Sequence, residues 1–438
     1  HKLWRYLAEG GPDNLDAFFT YADGLVRGKE IEAPEPRPVL RGGIYGATSL
    51  AEWREKQPDG PVAALVFYRA LFQAGTLAPI DALIQALAER GIAALPLYVA
   101  SLKDSVAADT VARLTKEAGC GIVLNCIGFA VSAPGAARSE TPFDSLDCPV
   151  LQVILASSTE EAWRSGTSGL SARDIAMQVS LPEVDGRILT RAVAFKSAAR
   201  FDVATECDVV EHAPVADRVG FVADLAANWL RLRSAPVAGR NVALVLANYP
   251  TKDGRLGNGV GLDTPAATVE ILRAMGEAGY DLSASSGNGA TLSGAAGILP
   301  SDSASLMARL STGPTNANPL RGSTESWPLA DYQAWFRTLP EAIQTAVTNR
   351  WGTPQLDPGF ANQAFTLPVH RFGNVIVAIQ PARGYQIDPA ESYHDPALVP
   401  PHGYLAFYGW LRTAFNAHAV VHVGKHGNME WLPGKALA

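Results

Sequence analysis

Short apolar runs alternate with amphipathic segments through the first half of the chain. The runs have the length of strands, and the segments between them place apolar residues at helical spacing. The predicted strands are residues 62–68, 92–99, 121–127, 149–155 and 203–213. The predicted helices are residues 80–90, 104–118 and 218–234. Strands that alternate with helices in this way predict an α/β fold with a parallel, doubly wound sheet.

The same pattern begins again at residue 241, where an apolar strand is followed by a glycine-rich loop and a helix. In both copies a proline opens the helix (Pro79, Pro265) and a glycine follows its end (Gly91, Gly279). This repetition predicts two related α/β domains. Predicted elements of the second half are the strands 241–247, 375–379 and 419–423 and the helices 265–277, 332–351 and 404–415.

The predicted organisation has three parts. Residues 1–37 form the helical end of an N-terminal region, residues 38–237 an α/β head domain, and residues 238–438 the first part of an α/β body domain. Alternate prolines at positions 34, 36 and 38 predict a stiff linker, because they continue neither a helix nor a central strand. Since the sequence begins with His1 and stops after a dense polar motif, we expect it to be a fragment of a longer chain.

Charge and cysteine usage narrow the class of protein. The chain of 438 residues has 36 Lys and Arg against 43 Asp and Glu, a net charge of −7, so it lacks the overall positive charge of a nucleic-acid binder. No apolar run approaches the ~18 residues of a membrane-spanning helix. The cysteines are Cys120, Cys126, Cys148 and Cys207, none in a C-x-x-C pair, which predicts reduced core thiols in a cytoplasmic protein.

Histidines are concentrated near the end of the chain: six of the eight fall between residues 370 and 426. The densest part places His422, His426 and Glu430 at the carboxyl end of a predicted parallel strand, where open α/β sheets bind their ligands. Glycines at 424 and 427 argue against a continuous helix and so against a zinc-peptidase motif. Two imidazoles and a carboxylate suit Co, Zn, Ni or Fe(II) better than Mg or Ca. The alternative is a group of structural histidines.

Two further loops follow predicted strands. The first begins at Asn248 and contains Lys252, Arg255 and Asn258. Its position between a strand and a helix favours a loop that faces the substrate, with a structural hairpin loop as the alternative. No G-x-x-x-x-G-K-[ST] sequence occurs in the chain, which argues against an ATP site. In the second loop, Arg383 is suited to hold a carboxylate through a bidentate pair of hydrogen bonds, with a surface salt bridge as the alternative.

Three ordered motifs resemble the large-subunit family shared by cobaltochelatase and magnesium chelatase. Residues 422–435, HVGKHGNMEWLPGK, are similar to its signature. The segment that starts at Asn248 resembles the N-Y-P-x-x-x-G-x-x-G-N-G-V-G-L-D-T-P segment of the family. The segment from His394 resembles its H-D-P-x-L-x-P-P-H-x-Y-L-A-F-Y stretch. Within the family, residues 424–433 look more like the cobalt branch than the magnesium branch.

The resemblance implies ATP-dependent insertion of Co(II) into hydrogenobyrinic acid a,c-diamide during aerobic cobalamin synthesis. ATP is then hydrolysed by partners, a CobS-like AAA+ ATPase and CobT-like subunits, in agreement with the absent ATP motif. A magnesium chelatase large subunit acting on protoporphyrin IX and a non-catalytic tetrapyrrole carrier remain open.

The resemblance also implies roles for individual residues. His422 and His426 are expected to bind the metal, with His426 also catalytic and Glu430 a general base or third ligand. Cations are expected to pair with substrate carboxylates, and aromatic rings to pack on the substrate's apolar face. The cations are Lys252, Arg255, Arg383 and Lys425, and the rings are Tyr385 and Trp431. The further candidate substrate-binding residues are Asn248, Asn258, His370, His394 and His402.

Overall fold

The computed structural model describes residues 1–29, 32–248, 252–283, 299–322, 325–385, 395–425 and 429–437. The chain divides into two compact units. The first comprises His1–Arg233 and Lys435–Ala438, and the second comprises Ser234–Gly434. Within the described ranges, no helix combines the length and apolar character needed to cross a membrane.

The first unit is built on one mixed sheet. Its strands are β1 (Gly42–Ile44), β2 (Val62–Tyr68), β3 (Ala93–Val99), β4 (Cys120–Asn125), β5 (Val150–Ala156), β6 (Ile188–Asp202) and β7 (Cys207–Pro214). Its helices are α1 (Lys2–Glu9), α2 (Pro12–Arg27), α3 (Leu50–Glu55), α4 (Arg69–Ala74), α5 (Ala78–Ala88), α6 (Ser105–Ala118), α7 (Glu160–Ser165), α8 (Ala172–Ile175), α9 (Leu181–Glu183) and α10 (Ala216–Ser234). The described strands lie in the order β1-β3-β2-β4-β5-β6-β7.

Strands β2 to β6 run parallel, and the edge strands β1 and β7 are antiparallel to their neighbours. Successive side chains of β2 point to opposite faces of the sheet. Leu65 packs with residues of α5 and α10 on one face, and Val66 packs with residues of α6 on the other. The predicted α/β fold with a parallel, doubly wound sheet is therefore confirmed.

Residues 1–37 belong to the first unit, so the predicted boundary at 37/38 does not coincide with a boundary between the two units. Main-chain and side-chain hydrogen bonds explain why. The Gly11 N–H donates to the Gln73 carbonyl (2.9 Å), and Gln73 Nε2 donates to the Glu9 carbonyl (2.7 Å). The buried Asn14 binds the Arg37 main chain through both side-chain atoms, which ties the proline-rich segment to α2.

One predicted strand and one predicted core thiol differ from the structure. The predicted strand 203–213 is the second arm of a hairpin, β7, because residues 203–206 form the turn between β6 and β7. The Asp202 carboxylate stabilises this turn by accepting the N–H groups of Ala204 and Thr205 (both 3.0 Å). Cys207 is exposed on this edge arm, so the prediction that it is a core thiol is wrong.

The second unit contains a smaller, mostly parallel main sheet and further short strands. Its strands are β8 (Val242–Leu246), β9 (Asn258–Gly259), β10 (Leu262–Asp263), β11 (Ser326–Pro328), β12 (Phe360–Ala361), β13 (Ala364–Thr366), β14 (Val369–Phe372), β15 (Val375–Ile379) and β16 (Ala419–Val423). Its helices are α11 (Thr264–Glu277), α12 (Ser303–Thr312), α13 (Leu329–Phe336), α14 (Glu341–Trp351) and α15 (His402–Thr413). The predicted helix 332–351 is two helices, α13 and α14, because Pro340 lacks the N–H that a continuous helix needs.

The main sheet of this unit has the order β14-β15-β8-β16 among the described strands, with β15, β8 and β16 parallel. Alternate residues of β8 face two helical layers. Leu244 packs with residues of α11 and α12, and Val245 packs with residues of α13 and α15. The central strand β8 is thus covered on both faces, and its carboxyl end is left to the loops.

Candidate functional site

The predicted site loops meet at one edge of the smaller sheet. Leu246 at the end of β8 pairs with Ile379 of β15 and with Val423 of β16, so the three parallel strands end at the same level. A cavity of about 170 Å³ opens at this edge. It is lined by Val245, Ala247, Gln380, His422, Val423, Gly424, Lys425 and Glu430. The strand ends therefore bring an imidazole, a cation and a carboxylate to one cavity.

His422 lies on β16 one residue before the strand ends, on the face that β16 presents toward α15. Its imidazole stacks on the ring of Tyr408, with centroids 6.0 Å apart and planes 19° from parallel. The Tyr408 hydroxyl lies 3.4 Å from His422 Nε2. Loss of water around the imidazole lowers the pKa of His422, which favours its neutral form, the form that binds metals or accepts a proton.

Lys425 and Glu430 complete the polar lining of the cavity. Both side chains are exposed, and Glu430 lies in a short 3-10 helix, Met429–Trp431. His426 and His394 lie outside the described residues. Within the described ranges, no group of three or more His, Cys, Asp or Glu side chains is placed to hold a metal ion. Convergence of His422, His426 and Glu430 on one metal therefore stays a prediction.

The loop after β8 is held in shape by buried and charged groups. Asn248 is buried, and its Nδ2 donates to the Lys252 carbonyl (3.1 Å), so this predicted substrate residue closes its own loop. Asp253 accepts hydrogen bonds from the side chains of three residues: Thr315 (2.5 Å), Asn318 (2.9 Å) and Arg321 (3.1 Å). These bonds lower the pKa of Asp253 and tie the loop to the segment before β11.

The remaining side chains of this loop that we predicted to bind substrate are on the surface. Lys252, Arg255 and Asn258 are all exposed at the carboxyl edge of the sheet. Of the four predicted cations, Lys425 lines the cavity of His422, and the two cations of this loop are available to solvent. Binding of substrate carboxylates by these residues stays a prediction.

The side chain of Arg383 is buried, with 1% exposure, and its binding of a substrate carboxylate also stays a prediction. Its Nη2 donates to the carbonyls of Asp395 (2.8 Å) and Leu398 (3.2 Å). Both of these acceptors are main-chain oxygens of the segment before α15, and the buried position of the side chain differs from the surface salt bridge considered as the alternative. Tyr385 packs on Trp351, with ring centroids 4.7 Å apart.

His402 has partners within the protein. His402 is buried at the start of α15, where its Nδ1 lies 2.6 Å from the Tyr332 hydroxyl and its Nε2 lies 3.0 Å from the Gly352 carbonyl. The next residue, Gly403, donates its N–H to the buried Asp357 carboxylate (2.7 Å). A Cβ at position 403 would lie 2.7 Å from Asp357 Oδ1, so this contact requires glycine. These residues fix the start of α15 rather than the cavity.

His370 lies on β14 against Gly313, and burial lowers its pKa to about 4, with nearby Arg309 contributing in the same direction. Between about pH 6.5 and 4 the unfolded chain then binds the proton that the folded chain excludes. The free energy of unfolding should therefore fall as the pH drops through this window and stay flat above it.

Between about pH 7 and 4.5 the free energy of unfolding should therefore fall by roughly 2.5 kcal/mol less in His370→Gln than in the wild type. Urea unfolding of both proteins at the two pH values measures this difference. An identical pH dependence in wild type and variant would contradict the assignment of His370 as a buried neutral residue.

Sequence reasoning missed one residue that lines the cavity and the tyrosine that connects it to His422. Gln380 is buried, lines the cavity and donates from Nε2 to the Tyr408 hydroxyl (2.9 Å). Tyr408 connects this amide to His422. The available signal was the spacing of Tyr404 and Tyr408, which puts two tyrosines on one face of a helix. That spacing also fits simple core packing, so the contact with His422 was visible only in three dimensions.

The fold and the motifs agree with comparison to known proteins. Residues 4–438 match the family described as CobN/Magnesium Chelatase. The chain therefore belongs to the CobN/magnesium chelatase family.

Within the family the chain is similar to cobaltochelatase subunits. It is 50% identical to the aerobic cobaltochelatase subunit CobN of Sinorhizobium sp. and 43% identical to that of Pseudomonas aeruginosa, covering all of this chain and 34% of each relative. It is 27% identical to a magnesium-chelatase subunit of Rhodobacter capsulatus, over 98% of this chain and 36% of that protein.

A solved structure shows the same similarity. The catalytic subunit of cobaltochelatase from Mycobacterium tuberculosis superposes with a TM-score of 0.82 at 32% identity, over 100% of this chain and 36% of that chain. The chain thus spans about a third of the length of these relatives.

Proposed function

We propose that this chain is part of the large, substrate-binding subunit of an ATP-dependent cobaltochelatase. The observation that carries the proposal is 50% identity to a CobN protein along the whole chain, against 27% to a magnesium-chelatase subunit. The proposed reaction inserts Co(II) into hydrogenobyrinic acid a,c-diamide. We infer a cytoplasmic complex in which ATP is hydrolysed by CobS-like and CobT-like partners, in agreement with the absent G-x-x-x-x-G-K-[ST] motif.

The cavity supplies groups suited to this chemistry. Metal insertion needs a ligand for the incoming ion and an acceptor for the N–H protons that leave the macrocycle. The neutral imidazole of His422 provides a ligand nitrogen, and Glu430 provides a carboxylate at the same cavity for the proton or the ion. His426 is proposed as the second imidazole ligand of this motif.

The exposed cations suit an anionic macrocycle. The protein is acidic overall at −7, so unspecific attraction cannot hold a polycarboxylate and local cations must do so. Lys252, Arg255 and Lys425 lie in loops that follow two parallel strands and are exposed at their carboxyl edge. We propose that they pair with the substrate's carboxylates, and that Trp431 packs on its apolar face.

Ligand titration of the full-length protein tests this function. We expect quenching of tryptophan fluorescence by hydrogenobyrinic acid a,c-diamide at lower concentration than by protoporphyrin IX. Cobalt insertion should require ATP and the partner subunits. Preference for protoporphyrin with Mg²⁺ insertion would assign the magnesium branch. Tight binding of a tetrapyrrole with no insertion under any combination of metal, ATP and partners would assign a carrier.

A further inference from the structure

Tyr408 stands between the cavity and the rigid interior of the second unit. Its ring lies nearly parallel to the His422 imidazole, with centroids 6.0 Å apart, and its hydroxyl lies 3.4 Å from His422 Nε2. On the other side, the hydroxyl oxygen accepts a hydrogen bond of 2.9 Å from Gln380 Nε2. The phenol is therefore held by an amide and directed at one nitrogen of the imidazole.

Both residues of this arrangement, Gln380 and Tyr408, are held in place by the surrounding structure. The Gln380 N–H donates to the Leu246 carbonyl (2.9 Å), and the Gln380 carbonyl accepts from Asn316 Nδ2 (3.0 Å), so its backbone is fixed on both sides. Tyr408 lies on α15, whose neighbouring residues Phe407 and Trp410 belong to the buried core. A group held by packed elements keeps the residue it contacts in one geometry.

From these contacts we propose that Tyr408 is a positioning residue for His422. The Tyr408 hydroxyl occupies Nε2 of the imidazole and leaves Nδ1 as the nitrogen that binds the incoming metal. This inference rests on the proposed function of His422 as a metal ligand. A hydroxyl both donates and accepts hydrogen bonds. Tyr408 therefore donates to Nε2 in the metal-free ring and accepts from Nε2–H when Nδ1 holds the ion. The outer partner of a metal-binding histidine orients the ring and raises its basicity.

The test compares Tyr408→Phe with Tyr404→Phe in the full-length protein. The first variant keeps the stacked ring and removes the hydroxyl. The second removes a hydroxyl one turn earlier on α15, where the Tyr404 ring contacts Tyr408 rather than His422. We expect Tyr408→Phe to weaken Co²⁺ binding, followed by visible absorption of the ion, by about 10- to 100-fold. Corrinoid affinity should be unchanged, and Tyr404→Phe should bind Co²⁺ as wild type does.

Two measurements separate positioning from simple structural damage. Anomalous scattering from crystals of the full-length protein with Co²⁺ should place the ion at Nδ1 of His422. Without metal, modification of His422 by diethyl pyrocarbonate, followed by peptide mass spectrometry, should be faster in Tyr408→Phe because Nε2 is released, and unchanged in Tyr404→Phe.

The possible outcomes are distinct. The proposal is overturned if the ion is found at Nε2. It is also overturned if the wild type binds Co²⁺ and Tyr408→Phe binds it with equal affinity. An unchanged modification rate at His422 in Tyr408→Phe also overturns it. If wild type binds no Co²⁺ through His422, the metal role under the proposed function fails, and the modification rates still decide whether Tyr408 holds Nε2.

Discussion

Replacing His422 by alanine is expected to stop cobalt insertion by the full-length protein while leaving tetrapyrrole binding nearly intact. The imidazole lies at the end of β16 and lines the cavity with Glu430, and loss of water around its ring lowers the pKa of His422, which favours the neutral form. Loss of a ligand or proton acceptor used only during insertion lowers the rate and not the binding of substrate. We expect the insertion rate to fall by roughly 10²- to 10⁴-fold.

A matched control, His418, lies next to the first residue of the same strand. His418 directly precedes β16, and its Nδ1 accepts the Asn241 N–H (3.0 Å) at the opposite end of the sheet from the cavity. His418→Ala removes an imidazole of equal size from the same unit and should retain insertion activity. Insertion is measured from the change in corrinoid absorption, and binding from fluorescence quenching. Equal losses of insertion and binding in His422→Ala would mean that His422 binds the macrocycle and not the metal.

The elements of the fold were predictable where local pattern and tertiary environment agree. Strands β15 and β16 have the predicted bounds, because each is a short apolar run that ends at a polar loop. The helix predicted over 332–351 failed at Pro340, since apolar spacing continues through the break while the proline removes a hydrogen bond. The hairpin of β6 and β7 was missed because a long exposed arm does not alternate between core and solvent.

In the candidate site, too, some features were predictable from the sequence and others were not. The sequence predicted His422 and Glu430 at the carboxyl end of a strand, and in the structure both residues line one cavity at the end of β16. The sequence could not show which polar side chains of the loops are buried. Asn248 and Arg383 are typical ligand-binding types in loops, yet both side chains are buried and donate to main-chain carbonyls. Burial is set by contacts with segments distant in sequence, and a motif does not encode them.

Arg383 therefore provides the second large expected effect, and it concerns stability. Its guanidinium is buried and donates to the carbonyls of Asp395 and Leu398, which precede α15. Truncation leaves both acceptors, of which the Leu398 carbonyl is buried, without their charged donor. Hydrogen bonds to charged groups contribute about 1.5–3 kcal/mol each, and an unsatisfied buried acceptor adds a penalty. We expect Arg383→Ala to lower the free energy of unfolding by roughly 3 kcal/mol without any ligand present.

Arg383→Lys and Arg255→Ala make the prediction specific. A lysine keeps the charge but lacks the planar guanidinium, whose single Nη2 reaches two carbonyls, so we expect it to recover only part of the lost stability. Arg255 is exposed in the loop after β8, and its removal should change stability by less than about 0.5 kcal/mol. Urea unfolding measures all three variants. If Arg383→Ala is as stable as wild type but binds the corrinoid at least tenfold more weakly, Arg383 serves the substrate, as its position in a strand-following loop first suggested, and the hydrogen bonds to residues 395 and 398 contribute little to the fold.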